Sequence, residues 1–146
     1  MRKYVFVGVA GIGLALVLAT APLIAHHAFS AEFDADAPVK LEGTISKTEW
    51  TNPHAWIHIN VTSLDGKPAS GEWMIEGGTP NTLMRRGVSR DSLKIGTPVV
   101  VTGYQAKDGS NRANGRDITY PDGRKLFLGS TGTGAPDDQE HKDDPK

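Results

Sequence analysis

The chain has 146 residues, with 16 basic and 17 acidic side chains, five histidines and no cysteine. A formal charge of −1 provides no basic footprint for nucleic acid, and the lack of thiols excludes disulfide staples, a lipidated cysteine and thiolate chemistry. A chain of this length has enough residues for one core and too few for two.

Arg2 and Lys3 form a short positive segment, and no charged side chain follows from Tyr4 to Ala25. With small residues at Ala19, Ala21 and Ala25, this order reads as a secretory signal peptide over residues 1–25, so the working part is expected to be periplasmic or secreted. The apolar run approaches the roughly 20 residues that span a bilayer, so an uncleaved N-terminal membrane anchor is the alternative. Gly8, Gly11, Gly13 and Pro22 weaken that alternative. Either way, residue 26 onward lies across the membrane, because the positive end stays in the cytoplasm. Cleavage after Ala25 makes His26 the first mature residue. Cleavage after Ser30 discards His26 and His27, and a cut after Ala21 sets Pro22 unfavourably beside the scissile bond.

Residues 26–38 are expected as an extended N-terminal arm, in which Glu32, Asp34 and Asp36 solvate the lead-in to the first strand. From Val39 to Trp50 apolar and polar residues alternate around Gly43, the pattern of a long strand bent at a glycine or bulge. A Thr51-Asn52-Pro53 turn precedes a second alternating run, His54 to Thr62. Leu64-Asp65-Gly66-Lys67 then makes a hairpin turn into a third strand, Gly71 to Glu76. The segment Gly77 to Gly87 carries helix signals at both ends: Thr79 as N-cap, Pro80 at the first helical position, Leu83 and Met84 as the apolar pair, Arg85 and Arg86 in the last turn. Ser89 to Leu93 is a second helical turn. Strands are expected over Val99–Ala106 and Ala113–Tyr120, with a last short one over Arg124–Leu128.

The order β-β-β-α-β-β defines the expected fold: all-β with one short helix, a small OB-like β-barrel over residues 39–129, with an open β-sandwich as the alternative. Residues 26–134 hold 12 basic and 12 acidic residues and so carry no net charge. The Gly-Ser-Thr-Gly-Thr-Gly run reads as a flexible linker, and residues 130–146 as a disordered acidic tail ending beyond His141.

Four stretches together resemble a family of exported bacterial proteins of unknown function: His26-His27-Ala-Phe-Ser, Trp50-Thr-Asn-Pro-His-Ala-Trp56, Gly77-Gly-Thr-Pro-Asn-Thr-Leu-Met-Arg-Arg-Gly87 and Ala106-Lys-Asp-Gly-Ser-Asn-Arg-Ala-Asn-Gly115. The resemblance covers nearly the whole mature domain and implies a periplasmic β domain with no established activity, so it transfers no catalytic residue. One departure is Val88, where tryptophan is expected after the glycine.

Histidine carries the chemistry. On the strand from His54 to Thr62, alternation puts Ala55, Ile57, Ile59 and Val61 toward the core and His54, Trp56, His58 and Asn60 on the opposite face. Positions four apart on a strand are about 13 Å apart, too far for His54 and His58 to share one ion without a bulge. If His26 begins the mature chain, its free amine and imidazole form a chelate suited to Cu(II), with His27 beside it and His54 or His58 closing the site. His26, His27, His54 and His58 are therefore the metal candidates, and Cu(II) the candidate cofactor. Trp56, Asn81, Arg85 and Arg112 are candidates for a further ligand surface, Asn81 because Gly77 to Asn81 could hold an anion at a helix start. Arg85, Arg86, Arg90, Arg112 and Arg116 could converge on a carboxylate or phosphate, and Trp50, Trp56 and Trp73 could form a stacking platform, though Trp73 reads as packing. Ser89, Ser92 and Ser110 lack a partnering histidine and acid, and no G-x-S-x-G is present.

The expected function is an exported, non-enzymatic binding module, a monomer that binds a transition metal. The alternative is an accessory domain that docks on an unidentified protein partner in the periplasm or at the membrane surface, without metal or nucleic acid.

Overall fold

The computed structural model describes residues 28–138. The signal segment, His26, His27 and the tail from residue 139 on, His141 included, lie outside the described residues. Eight elements follow one another: α1 (Ala28–Glu32), β1 (Phe33–Trp50), β2 (Ala55–Leu64), β3 (Lys67–Glu76), α2 (Pro80–Arg85), β4 (Pro98–Ala106), β5 (Arg112–Thr119) and β6 (Lys125–Phe127). None of these helices is long and apolar enough to cross a membrane.

The strands run in the order β3-β2-β1-β4-β5-β6, and a parallel β3–β5 pairing joins the two ends of the first five into a closed ring, the OB-like arrangement expected. The long strand β1 makes this possible. Its first half pairs with β4, its second with β2, and Leu41 to Thr44 pair with both. A strand serving two neighbours must bend, and a register shift falls between Glu42 and Gly43. A Cβ on Gly43 would lie 2.2 Å from the carbonyl oxygen of Asn60, so only glycine permits that approach.

Local chemistry sets the connections. The β2–β3 hairpin turns through Asp65 and Gly66 with φ of 51° and 77°, the left-handed pair of a two-residue turn. The Thr79 hydroxyl accepts from the Thr82 N–H at 3.2 Å and caps α2. Beyond its C-terminus, the N–H of Val88 reaches back to Leu83 at 2.9 Å, closing the helix across Gly87. Val88 itself is fully buried, so the residue that departs from the expected tryptophan is a core contact. Ser89 to Leu93 forms the expected single turn, closed by Leu93 N–H to Ser89 at 3.1 Å.

The main core fills the ring: Leu41, Ile45, Ile57, Ile59, Trp73, Ile75, Val101 and Ile118 are all at most 3 % exposed. A second, smaller cluster joins Phe29, Phe33, Ala106 and Ala135, with Tyr104 against them. It gives the arm and the tail more structure than their composition suggests. The arm is helical over α1 and then enters β1 at Phe33, and Ala135 is buried. Asp138 accepts from the Gly134 N–H at 2.7 Å and from Arg116 Nη2 at 2.9 Å. Arg116 Nε lies 2.7 Å from Asp137 Oδ1, an ion pair whose N–H is not aligned for a hydrogen bond. The Arg116 guanidinium, 2 % exposed, also lies over Phe127 at 4.8 Å.

Two substitutions test these constraints. Gly43→Ala should destabilise the domain by about 2 kcal/mol in urea denaturation, because the backbone of Asn60 must move. Arg116→Met should cost about 3 kcal/mol or more, because it leaves Asp137 and Asp138 without their counter-charge in a buried setting. Either variant unfolding at the parent midpoint would contradict the packing described.

Candidate functional site

Cross-strand register decides what the outer face of the ring offers. Trp56 stands opposite Glu76, His58 opposite Met74 and Asn60 opposite Glu72. Across the parallel seam Met74 meets Arg112 and Glu76 meets Asn114. Alternation then sorts β2: Ala55, Ile57, Ile59 and Val61 are at most 4 % exposed and face the core, while His54 and Trp56 are half-buried on the other side.

The two strand histidines share this face but not a function. His58, although outward-facing, is 6 % exposed, because carboxylates from both neighbouring strands close over it. Its Nε2 lies 3.0 Å from Glu49 Oε1 and its Nδ1 3.0 Å from Glu72 Oε1. Lys47 Nζ bonds Glu49 at 2.6 Å, and the Ser46 hydroxyl donates to Glu72 at 3.0 Å. With a carboxylate against each ring nitrogen, neither is left for a metal. Both acids are held below the usual carboxylate range. For Glu49 the main cause is the hydrogen bond from Lys47, and for Glu72 it is the bond from His58 followed by that from Ser46.

His54 sits just ahead of β2, after the turn containing the cis Asn52–Pro53 peptide. Its Nδ1 is 3.2 Å from the carbonyl oxygen of Gly77 and 3.8 Å from Glu76 Oε1. Both neighbours only accept hydrogen bonds, so Nδ1 carries the hydrogen, and in the neutral ring the lone pair is on Nε2. Glu76, 9 % exposed, is raised above the usual carboxylate range, chiefly by burial, against the opposing pull of His54 and of the bond from Asn114. Asn114 Nδ2 donates to Glu76 Oε1 at 3.2 Å, while Asn114 Oδ1 and Arg112 Nε are buried without hydrogen-bond partners among the described residues. Arg112 Nη2 holds Glu32 of α1 at 3.3 Å. His54, Glu76 and Asn114 thus make one polar group at the seam, and the separate Arg112–Glu32 pair acts on Glu76 through its charges. No group of three or more His, Cys, Asp or Glu side chains able to hold a metal occurs among the described residues.

The remaining candidates disperse. Asn81 is exposed on α2, and the anion cradle proposed for its turn has spent two amides, Gly77 N–H on Ala55 and Gly78 N–H on Leu128. Arg85 lies exposed in the last turn of α2. Arg86 donates to the Gly129 carbonyl and covers Phe127, Arg90 covers Trp50, and Arg116 is clamped by aspartates, so the arginines do not converge on one anion. Trp73 lies in the core and Trp50 is engaged by Arg90, which leaves Trp56 beside the polar group. Ser89 and Ser92 bond one another within their turn. A surface groove of about 360 Å³ between Gly43, Thr44, Val100 and Tyr120 includes none of the candidate residues.

The clamp around His58 makes a pH prediction. Acids with depressed folded pKa values contribute stability that is present above the ordinary glutamate range and lost as pH falls through the folded values. Glu76, raised, contributes with the opposite sign. Comparing the protein with Glu72→Gln isolates the clamp: the gap between their unfolding midpoints should be widest near pH 7 and narrow below about pH 4. A gap that stays constant across that range would rule out this assignment of Glu72.

No curated protein and no solved structure matches the chain. A family model does, over residues 14–115. The chain therefore belongs to the family described as "Family of unknown function (DUF6152)".

Proposed function

We propose that the chain is exported and that its mature domain is a non-enzymatic module binding one transition-metal ion, best matched by Cu(II), between His54 and the amino terminus freed at His26. The observation that carries this reading is the Gly77 carbonyl 3.2 Å from His54 Nδ1, an acceptor that places the ring hydrogen on Nδ1 and the lone pair on Nε2. A metal-binding histidine characteristically donates its other ring N–H to a carbonyl or carboxylate, which orients the ring and raises its basicity. His54 Nδ1 has one of each nearby, Gly77 and Glu76. His58 lacks this arrangement, so His54 is the strand ligand and His58 a structural bridge.

A single histidine does not hold an ion tightly. The other donors come from the amine and imidazole of His26, which close a six-membered chelate ring whose nitrogen set suits the planar preference of Cu(II). His26 precedes Glu32 by six residues, so it is tethered within about 20 Å of that residue, whose carboxylate pairs with Arg112 on the strand that carries Asn114. Buried Glu76 adds negative charge behind the ligating ring.

Titration of Cu(II) into purified protein with a native His26 terminus, followed by calorimetry and electron paramagnetic resonance, tests the reading. One ion per chain is expected. His54→Ala and Glu76→Gln should each weaken binding by about tenfold or more, while His58→Gln leaves it within about twofold. Acetylation of the His26 amine should abolish the amine–imidazole chelate signal. Undiminished binding in His54→Ala, or none with the native terminus, would sink the proposal.

A further inference from the structure

The segment that connects the amino terminus to the sheet is built into the fold. Phe29 is 3 % exposed, with its ring edge-on to Tyr104 at 5.5 Å and 5.9 Å from Phe33. Ala106 at the end of β4 and Ala135 in the C-terminal segment complete the cluster. Lys107 Nζ donates to the Ser30 carbonyl at 2.5 Å, the Lys107 N–H to that of Glu32 at 2.9 Å, and Arg112 holds the Glu32 carboxylate. Residues 29–32 are thus gripped from β4, from the turn after it, from β5 and from the far end of the described chain.

Each candidate leader cut bears differently on this cluster. The Ser30–Ala31 bond lies inside α1. A chain cut there loses the Phe29 ring and the carbonyl that binds Lys107, and leaves Phe33, Tyr104 and Ala135 around a gap the size of an aromatic ring. Phe33 alone cannot refill it, because its backbone is already committed to β1. A cut after Ala25 spares every one of these contacts.

We propose that α1 is a retained anchor of the mature domain, so that the leader is removed after Ala25 and the free amine of His26 stays tethered to the sheet through Phe29 and Glu32. The proposal rests on the export reading and not on metal binding. It assigns a processing site, and it makes Phe29 and Glu32 the points at which the segment after the cut is fastened to the ring.

The test is the intact mass of the protein recovered from the periplasm of a bacterium expressing the full chain. A single species spanning 26–146 is expected. A first residue other than His26 overturns the proposal, with a start at Ala31 leaving export standing and an unprocessed chain removing export as well. Failure of the 26–146 protein to bind Cu(II) would overturn only the metal reading. A second measurement tests the anchor itself: purified 31–146 should melt at least about 10 °C below 26–146, and Phe29→Ala in the longer chain should reproduce most of that loss. Equal melting temperatures would overturn the anchoring role.

Discussion

The fold turns on three residue pairs. Met74 to Glu76 and Arg112 to Asn114 form the parallel seam that converts a meander into a ring, and the interior exists as a closed core only because that seam holds. It requires close approach: a Cβ on Gly115 would lie 2.6 Å from the Ile75 side chain and 3.1 Å from the Glu76 carbonyl. Closure removes two sheet edges and sets Glu76 against Asn114. Without it Glu76 would be an edge carboxylate in water, with neither the burial that raises its proton affinity nor the amide that orients it. His54 would keep its carbonyl partner and lose its charged one.

The contrast between His54 and His58 shows how neighbours choose a side chain's chemistry. Both point to one face in the same alternation, His58 within β2 and His54 one residue ahead of it. His58 has a carboxylate on each nitrogen, one from β1 and one from β3, and both nitrogens are spent on cohesion. His54 has its acceptors on Nδ1 only, which leaves Nε2 to offer a lone pair. The distinction arises because β2 has a neighbour on each side at His58, whereas His54 lies beyond the last residue paired with β1, Ala55.

What could be read from the sequence was what local chemistry determines. Alternation gave the inward set Ala55, Ile57, Ile59 and Val61, Gly43 marked the bulge, Asp65-Gly66 the hairpin, and Thr79-Pro80 the start of α2. Long-range partners depend on register, which period two alone leaves free. A register shift between Ile45 and Lys47 sets Lys47 opposite His58 and Glu49 opposite Trp56, so the clamp could not be counted off along the chain. The segments flanking the ring follow the same rule: Phe29, Phe33 and Ala135, far apart in the chain, reach a common cluster by packing on one another and on Tyr104. The four-residue spacing of the two phenylalanines was the available signal. For the tail, no such signal linked Asp137 and Asp138 to Arg116.

The docking of Phe29 beside Ala135 has a consequence for any ligand at the amino terminus. An amine and imidazole on a free peptide bind copper whether or not the domain is folded, and binding that is equal in both states adds nothing to stability. Under the proposed reading, His54 contributes only when β2 is paired and α1 is docked, so only its share of the affinity is linked to folding. That share appears as a rise in unfolding temperature with added metal, while the chelate's own share does not. The thermal shift therefore measures how far the terminus and the ring act as one site, which separates a site built by the fold from a histidine-bearing end that merely happens to chelate.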